Sequence, residues 1–504
     1  DSSTSRGLGD VYKRQIFLFA IAGLFGLIAI LLFIALIRTE IIKKECGAEI
    51  PYNMEKEGIN PSLHAERLSK MIQVASVSRR GNGDLTKIYE MHRRLEELYP
   101  LIHSRLEVKD IDGALLYKWK GKNRQKAPVL LMSHHDVVEA AGDWKYPPFS
   151  GAIADGKIWG RGAVDTKGAL CAILESVEYL LSKGFIPERD FYIASSCNEE
   201  ITGDGAVKTV EYMYNAGIRP ELVMDEGGSV MGNMMGSEAA CAMIGVLEKG
   251  RANVKFIAHS HGGHASIPFR HNPFARLARL INKVESRPPF KARLTKPVVE
   301  MYKAMAPYMP FKYRFLLGNV WLLKPVMPFF MKKMGGQPAA LVSTTCVFTM
   351  AEGSRGANVI PETASATANM RFMVHEPLEA SLKKMLKLAD KNDIWMEMIT
   401  GYDIPPAADT TCPAYKKVVR QVENTFGRIP VIPYVMLAGT DARHYTKICN
   451  CVLRFVPLTM TDSQMKSAHA VNENLNVSSL ARAVNFYVDF IRGYDDKQRL
   501  GCIG

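Results

Sequence analysis

The apolar pattern opens on one unbroken block. Ile16 to Ile37 holds no charge and no proline, and at about 1.5 Å per residue it is long enough to cross a ~30 Å hydrocarbon core. Asp1 to Gln15, before it, is polar and Gly/Ser-rich without periodicity, which predicts an unstructured or non-native flanking segment. Residues 38–60 read as a linker. Past it, apolar positions recur every three or four residues over Leu63–Ala75 and Asp84–Tyr99, which predicts two helices. Leu106–Trp119 has strand character broken by the turn pair Asp112-Gly113. Three short continuous apolar runs follow, Ala127–Met132, Asp190–Ser196 and Glu221–Met224, and these predict strands buried on both faces. Ala169–Leu180, between them, has helical spacing.

After Gly250 the texture changes. Ala252–Ala258, Val342–Met350 and Ala364–Val374 read as strands, and Asn272–Val284 is an amphipathic helix. This predicts a smaller α+β unit over residues 248–374, inserted between two parts of a larger domain at 61–247 and 375–504. The tail returns to α/β texture, with helices over Cys412–Asn424 and Val477–Ile491 and strands over Val431–Leu437 and Cys451–Leu458. The fold class predicted is α/β, with a mainly parallel sheet and an N-terminal transmembrane helix.

Tyr302–Met334 is apolar, aromatic and lysine-rich. It fits a membrane interface or an acyl-binding groove, and equally a domain or dimer interface. The block at 16–37 is an uncleaved anchor or, as the alternative, a cleaved signal segment; it is longer than the usual apolar core of a signal and lacks a clean small-x-small site. The anchor reading predicts a single-pass membrane protein with a lumenal or extracellular body, the signal reading a secreted one. On such a body the sequon at Asn476-Val477-Ser478 is usable for glycosylation. The formal net charge of +13 over 504 residues comes without a Lys/Arg block interleaved with aromatics, which argues against nucleic acid. A basic surface, or a basic face near anionic lipid, accounts for it. Nine cysteines without regular spacing exclude a thiolate metal site, and Cys449 and Cys451 read as buried thiols or as one member of a disulfide.

Chemistry gathers at the strand ends, where open α/β sheets place their sites. The first run delivers His134 and Asp136, the second Asn198-Glu199-Glu200, and the third Asp225-Glu226-Gly227-Gly228. A glycine-dense turn, Gly160–Gly168, carries Asp165, and a late loop carries His469. Zinc takes imidazole nitrogen and carboxylate oxygen, and a metal pair needs a bridging group. His134, Asp165, Glu200, Asp225 and His469 supply one bridge and two further ligands per metal. Glu199 is left to face bound water as a general base, since adjacent side chains differ in direction. Asp136 is placed to fix the tautomer of His134. No Gly-x-Ser-x-Gly elbow and no His-Glu-x-x-His helix is present.

Four motifs together carry a resemblance: His134-His135-Asp136-Val137-Val138, Gly160 through Gly168, Glu199-Glu200 and His469. With them the sequence resembles the M20 family of co-catalytic zinc metallopeptidases and acylases, nearest its carboxypeptidase S-like and N-fatty-acyl-amino acid synthase/hydrolase members. The resemblance implies a zinc-exopeptidase-like sheet with an inserted lid and dimerisation domain, and two zinc ions. It implies His134 and Asp225 on one metal, Glu200 and His469 on the other, and Asp165 between. Related sequences place the fourth ligand differently in this context, so Glu226 stands as the alternative to Asp225. It further implies His264, in Gly262–Ser266, as an oxyanion donor, Asn358 as a second polar contact and Arg443 as the grip on a substrate carboxylate.

The expected partners are a small molecule or short peptide with a free carboxylate, a lipid or membrane surface, and a second copy through the lid. The expected reaction is hydrolysis of a linear amide. Two substrate classes stand: N-fatty-acyl amino acids, cleaved or condensed in reverse, and peptides losing a C-terminal residue. A catalytically inactive, membrane-anchored binding protein of the same fold is the third reading.

Overall fold

Val129–His134 lies inside a ten-stranded sheet, paired in parallel with Phe191–Ser196 on one side and Leu222–Asp225 on the other. In this computed structural model the described residues are 2–47, 50, 60–81, 83–232 and 240–496, with side chains from Tyr12 on. Residues 48, 49 and 51–59 of the expected linker lie outside them. Every residue of Val129–His134 is buried, as is every residue of Phe191–Ser196, so both are sandwiched between helices as their unbroken apolar runs require. Lys167–Ser182 and Val477–Gly493 pack together across that layer, with Leu170, Ile173, Leu480 and Val484 fully enclosed. A buried side chain of this size contributes roughly 1.5–3 kcal/mol.

The sheet is mixed, where a mainly parallel one was expected. The strand Ala114–Trp119 pairs antiparallel with Phe191–Ser196 and with Glu107–Ile111. The turn joining those two edge strands has Asp112 and Gly113 at φ 53° and 93°, the left-handed pair that a two-residue hairpin demands. Farther along, Val452–Arg454 is parallel to Leu222–Asp225 but meets Cys241–Glu248 antiparallel.

The lid has its own core. Its antiparallel sheet runs Thr345–Glu352, Thr363–Phe372, Gly250–His259, Trp395–Tyr402. Pro273–Ser286 and Leu378–Asp390 cover one face, burying Phe256, Leu280, Met370 and Met385. The unit therefore extends to Tyr402 and does not stop at 374. The reason lies in the last strand: it is an edge, exposed along most of its length, so it shows no burial alternation. The helices from Lys296 to Val342 interrupt the lid and pack back on the large sheet, where Val298 and Met301 meet Ile432 and Val435.

The N-terminal helix spans Ser2–Ile41. The polar start continues the same helix where a separate unstructured segment was expected, because no proline interrupts it and each added residue gains a hydrogen bond. From Ile16 to Ile34 the helix projects largely exposed apolar side chains. At its C-terminal end it docks on the body. Ala35 and Thr39 are wholly buried. The buried Asn319 donates its amide to the Ala35 carbonyl at 3.1 Å and to Thr39 Oγ1 at 2.9 Å. Lys44 N–H then donates to the Pro307 carbonyl at 2.9 Å.

Candidate active site

Five of the side chains that converge come from five separate segments. His134 ends its strand and is 1% exposed. Its Nε2 lies 3.2 Å from Asp165 Oδ1 and 3.4 Å from Glu226 Oε1. The other Asp165 oxygen, Oδ2, lies 3.0 Å from His469 Nε2, which is also 2.9 Å from Glu200 Oε2. Asp165 thus turns one oxygen toward each of two clusters, whose ligand atoms all lie within 4.8 Å of one another. His469 is held at φ 59°, a conformation costly for a residue with a Cβ and one often found at functional sites.

The donor set fits two divalent cations. Each cluster offers one imidazole nitrogen and carboxylate oxygens, the set zinc prefers. Glu200 Oε1 is buried with no hydrogen-bond partner of its own, which a cation would remedy. Crowding shows in the protonation. Burial, and then Asp165, pushes the Glu226 carboxyl up to about 8. Burial opposes it, yet Glu226, Asp136 and Asp165 hold the His134 proton well above the usual imidazole range. Asp165 and Glu200 raise His469 to about 10.

The structure puts Glu226 where Asp225 was expected. The strand Leu222–Asp225 ends on the first residue of the acidic pair, and successive side chains point to opposite sides, so the two carboxylates point apart. Asp225 turns back, 3% exposed, and its Oδ2 accepts the Ala442 N–H at 2.9 Å. Two glycines follow because nothing larger fits: a Cβ on Gly228 would lie 2.1 Å from the Met243 carbonyl oxygen.

Asp136 does more than was expected of it. His134 Nδ1 is 3.0 Å from the Asp136 carbonyl and 3.3 Å from its Oδ1. The two carboxylate oxygens also accept the backbone N–H groups of Glu199 and Glu200, each at 3.2 Å, and Ser78 Oγ donates at 2.6 Å. One side chain therefore orients both the histidine and the acidic pair. Glu199 itself is half-buried, and desolvation above all raises its pKa well beyond the ordinary glutamate range.

Glu473, four residues after His469 in the same loop, is fully buried. Its Oε1 accepts from Val164 N at 2.8 Å and Asp165 N at 3.0 Å. Its Oε2 accepts from Gly162 N at 3.0 Å and Arg161 Nη1 at 2.7 Å. It clamps the turn carrying Asp165 to the loop carrying His469.

Arg443 sits in a turn pinned from behind by Asp225 and by Glu248, whose Oε2 accepts from Thr440 N at 3.2 Å and Arg454 Nε at 3.0 Å. Its guanidinium lies over the Tyr402 ring, 4.5 Å from the centroid, and donates to the Thr440 carbonyl. Its Nε has no partner, nor has Nε of Arg251. Both arginines line a cavity of about 590 Å³ with Tyr402 and Thr202. Thr202 belongs to the turn after Glu199, whose carbonyl accepts the Thr202 N–H at 2.7 Å. Across the clusters, Asp165 and Glu226 border a second, apolar cavity of about 110 Å³ lined by Val456, Leu458, Met460 and Met465.

His264 and Asn358 are brought together on the lid. Gly263–His264 pairs with Val359–Ile360, and Ala265 N–H donates to the Asn358 carbonyl at 2.9 Å. His264 is exposed, and its Nδ1 is 2.7 Å from Ser266 Oγ. Among the described residues no hydrogen bond joins either to the two clusters. Asn476 is half-buried in the strand Asn474–Asn476, and its side-chain oxygen accepts from Gln464 at 3.3 Å, so the sequon is not on a free loop. Cys449 and Cys451 are buried thiols, and Cys412 Sγ lies 3.4 Å from Cys451 Sγ.

Comparison with known proteins gives a consistent set of likenesses. A family model described as Peptidase family M20/M25/M40 matches residues 130–493. A probable carboxypeptidase S-like 2 of Dictyostelium discoideum is 32% identical over 444 residues, spanning 85% of this chain and 84% of that protein. The N-fatty-acyl-amino acid synthase/hydrolase PM20D1 of Homo sapiens is 28% identical over 462 residues, 90% of this chain and 91% of its own. Among solved structures, the M20 family metallo-carboxypeptidase Sso-CP2 from Sulfolobus solfataricus has a TM-score of 0.62 at 19% identity, covering 86% of this chain and 99% of that one. Human carnosine dipeptidase 1 has a TM-score of 0.61 at 16% identity, covering 86% and 96%. At such identities the two structures speak for the fold alone.

Proposed function

The chain belongs to peptidase family M20/M25/M40, and from that premise we propose that it cleaves N-fatty-acyl amino acids bearing a free carboxylate, and forms them when acid and amine are in excess. Membership with two clustered ligand sets makes it a metal-dependent amidohydrolase; the substrate is our reading. The observation that carries it is a pair of unlike cavities, one lined by Ile201 and Thr202 directly after the Glu199–Glu200 pair, the other by Asp165 and Glu226 of the clusters. A basic one, with two arginines holding unmatched donors, suits a carboxylate. An apolar one suits the start of an acyl chain. The carboxypeptidase S-like relative is the more identical of the two named, and this favours a second reading, release of C-terminal residues from short peptides.

In our assignment His134, Asp165 and Glu226 would hold one zinc, and Asp165, Glu200 and His469 would hold the other. Such a pair, when bound, polarises the scissile carbonyl and lowers the pKa of water. Glu199 takes the proton of the attacking water and delivers it to the leaving nitrogen, a task its burial-raised pKa favours. Arg443 and Arg251 orient the substrate carboxylate, and the planar Arg443 guanidinium, stacked on Tyr402, suits bidentate contact. His264 donates to the developing oxyanion once lid and sheet close on substrate. The lid's edge strand exposes Val347 and Met350, which supports pairing with a second copy.

We also read the N-terminal helix as a retained anchor. Removing it as a leader would strip Asn319 and Gly318 of the partners that bury them.

The deciding experiment is a substrate panel with and without chelator: oleoyl amino acids, their carboxyl-blocked esters, and free dipeptides. Chelator-sensitive turnover of the free-acid oleoyl compounds only is the expected result. Turnover of dipeptides alone would transfer the assignment to the peptidase reading. Glu199→Gln should hold both metals and lose activity.

A further inference from the structure

We propose that the helices from Phe311 to Met334 form a platform that docks on an anionic lipid leaflet beside the anchor, with a headgroup phosphate seated among Lys291, Arg293 and Lys324. The inference rests on the anchor reading above and adds what the anchor is next to.

The level of the platform follows from its hydrogen bonds. Asn319 joins Phe311–Gly318 to Val320–Leu323 and donates to Ala35 and Thr39 of the anchor. Arg38 Nε donates to the Gly318 carbonyl at 3.4 Å. The approach is close: a Cβ on Gly318 would lie 2.3 Å from the tip of the Ile42 side chain, which would have to shift to admit it. The apolar block of the anchor ends at Ile37. The platform is therefore fixed at the depth where hydrocarbon gives way to headgroups, the level that tryptophan favours.

What the platform shows to solvent suits that depth. Trp321 is 48% exposed, Phe329 65%, Phe330 59% and Met334 74%. Each is a poor residue for open water, Phe329 and Phe330 lie edge to face at 5.6 Å, and exposed apolar side chains gathered on one short segment mark an interaction site. The segment itself carries no acid: between Glu300 and Glu352 the sequence contains no aspartate and no glutamate, but holds lysines at 303, 312, 324, 332 and 333; the carboxylates near it, Glu40 beside Arg314 and the buried Glu376 behind Lys291, come from outside. Phe329 also borders a cavity of about 510 Å³ whose charged lining is Lys291, Arg293, Lys324 and Lys332. Four cations with an aromatic rim and no acid make a receptor for a phosphodiester with acyl chains below it. The inner side of the platform is occupied already: Leu317, Val320 and Met331 pack in one core with Val298 and Met301 of the helix Lys296–Met305 and with Ile432 of the large sheet. A soluble protein partner would have no reason to share its depth with the end of a membrane span.

The test uses the full chain in nanodiscs of phosphatidylcholine, with or without phosphatidylserine, the lipids brominated near the headgroup. Alkaline carbonate extraction of proteoliposomes is run in parallel. The expected chain resists extraction, shows bromine quenching that disappears in Trp321→Phe, and is quenched more with phosphatidylserine. Lys291→Glu with Lys324→Glu, both exposed, should lower retention of the anionic lipid in native mass spectrometry about tenfold or more. A carbonate-resistant chain without Trp321-dependent quenching overturns the platform and leaves the anchor standing. Equal quenching and lipid retention whatever the lipid or the lysine charge overturns the anionic seat. A chain released by carbonate overturns the anchor reading and, with it, this proposal.

Discussion

Glu473→Gln is the most searching single change, because it alters one atom far from any substrate. Both carboxylate oxygens already accept two donors each. Glutamine keeps one acceptor and turns an NH₂ toward the other pair. If that pair is Val164 and Asp165, two buried amides face a donor. If it is Gly162 and Arg161, a guanidinium only 2% exposed loses its carboxylate and keeps the Ala470 carbonyl at 3.1 Å. Two charge-assisted bonds at about 1.5–3 kcal/mol each put the loss at roughly 3–6 kcal/mol. Part of it falls on the backbone of Asp165, the residue shared by both clusters, so metal affinity should drop about 10–100-fold. The assays are calorimetric melting of the metal-free chain and competition with a fluorescent zinc chelator. The reasoning has a built-in rival. Burial pushes the Glu473 pKa up against its four donors, and a protonated Glu473 would be mimicked by glutamine. Wild-type melting and wild-type zinc affinity in the Gln variant would therefore refute a clamp that depends on the Glu473 charge.

Three further outcomes follow from the same geometry. Glu226→Ala should cut bound zinc from two ions to one by elemental analysis, whereas Asp225→Asn should keep both and lower thermal stability, since its oxygen serves the Ala442 N–H. Arg443→Lys should raise KM about tenfold or more for free-acid substrates with a smaller change in kcat, because lysine cannot make the bidentate contact or the stack on Tyr402. Zinc loading should release protons near neutral pH: His469 and Glu226, with pKa held up to about 10 and about 8 before loading, must deprotonate to ligate. Affinity should accordingly rise with pH through the neutral range. Titration calorimetry in buffers of different ionisation enthalpy measures the proton count, and a count of zero would sink the assignment of those two ligands.

The strand ends were legible because a buried parallel strand advertises itself as an unbroken apolar run, and the polar residue that stops the run must sit at the sheet's edge. That logic found His134, Asp136, Glu199 and Glu200. It could not choose between Asp225 and Glu226, because a side chain's direction flips with each residue and a strand's last residue is uncertain by at least one. The structure stops the strand at Asp225, so parity sends that carboxylate inward and the next one toward His134 and Asp165. Arg251 and Tyr402 escaped for a different reason. Each lies on a lid strand whose local pattern reports only a sheet, and their meeting with Arg443 exists only after Gly250–His259 and Trp395–Tyr402 pair. Glu473 was hidden by its donors: three of the four are backbone N–H groups, and a backbone donor leaves no mark in a sequence. A site assembled from separate segments is thus read most readily in the atoms that face the reaction. The shell that holds those atoms still is written in hydrogen bonds to the main chain, and this is where a substitution such as Glu473→Gln tests more of the fold than any change to a ligand.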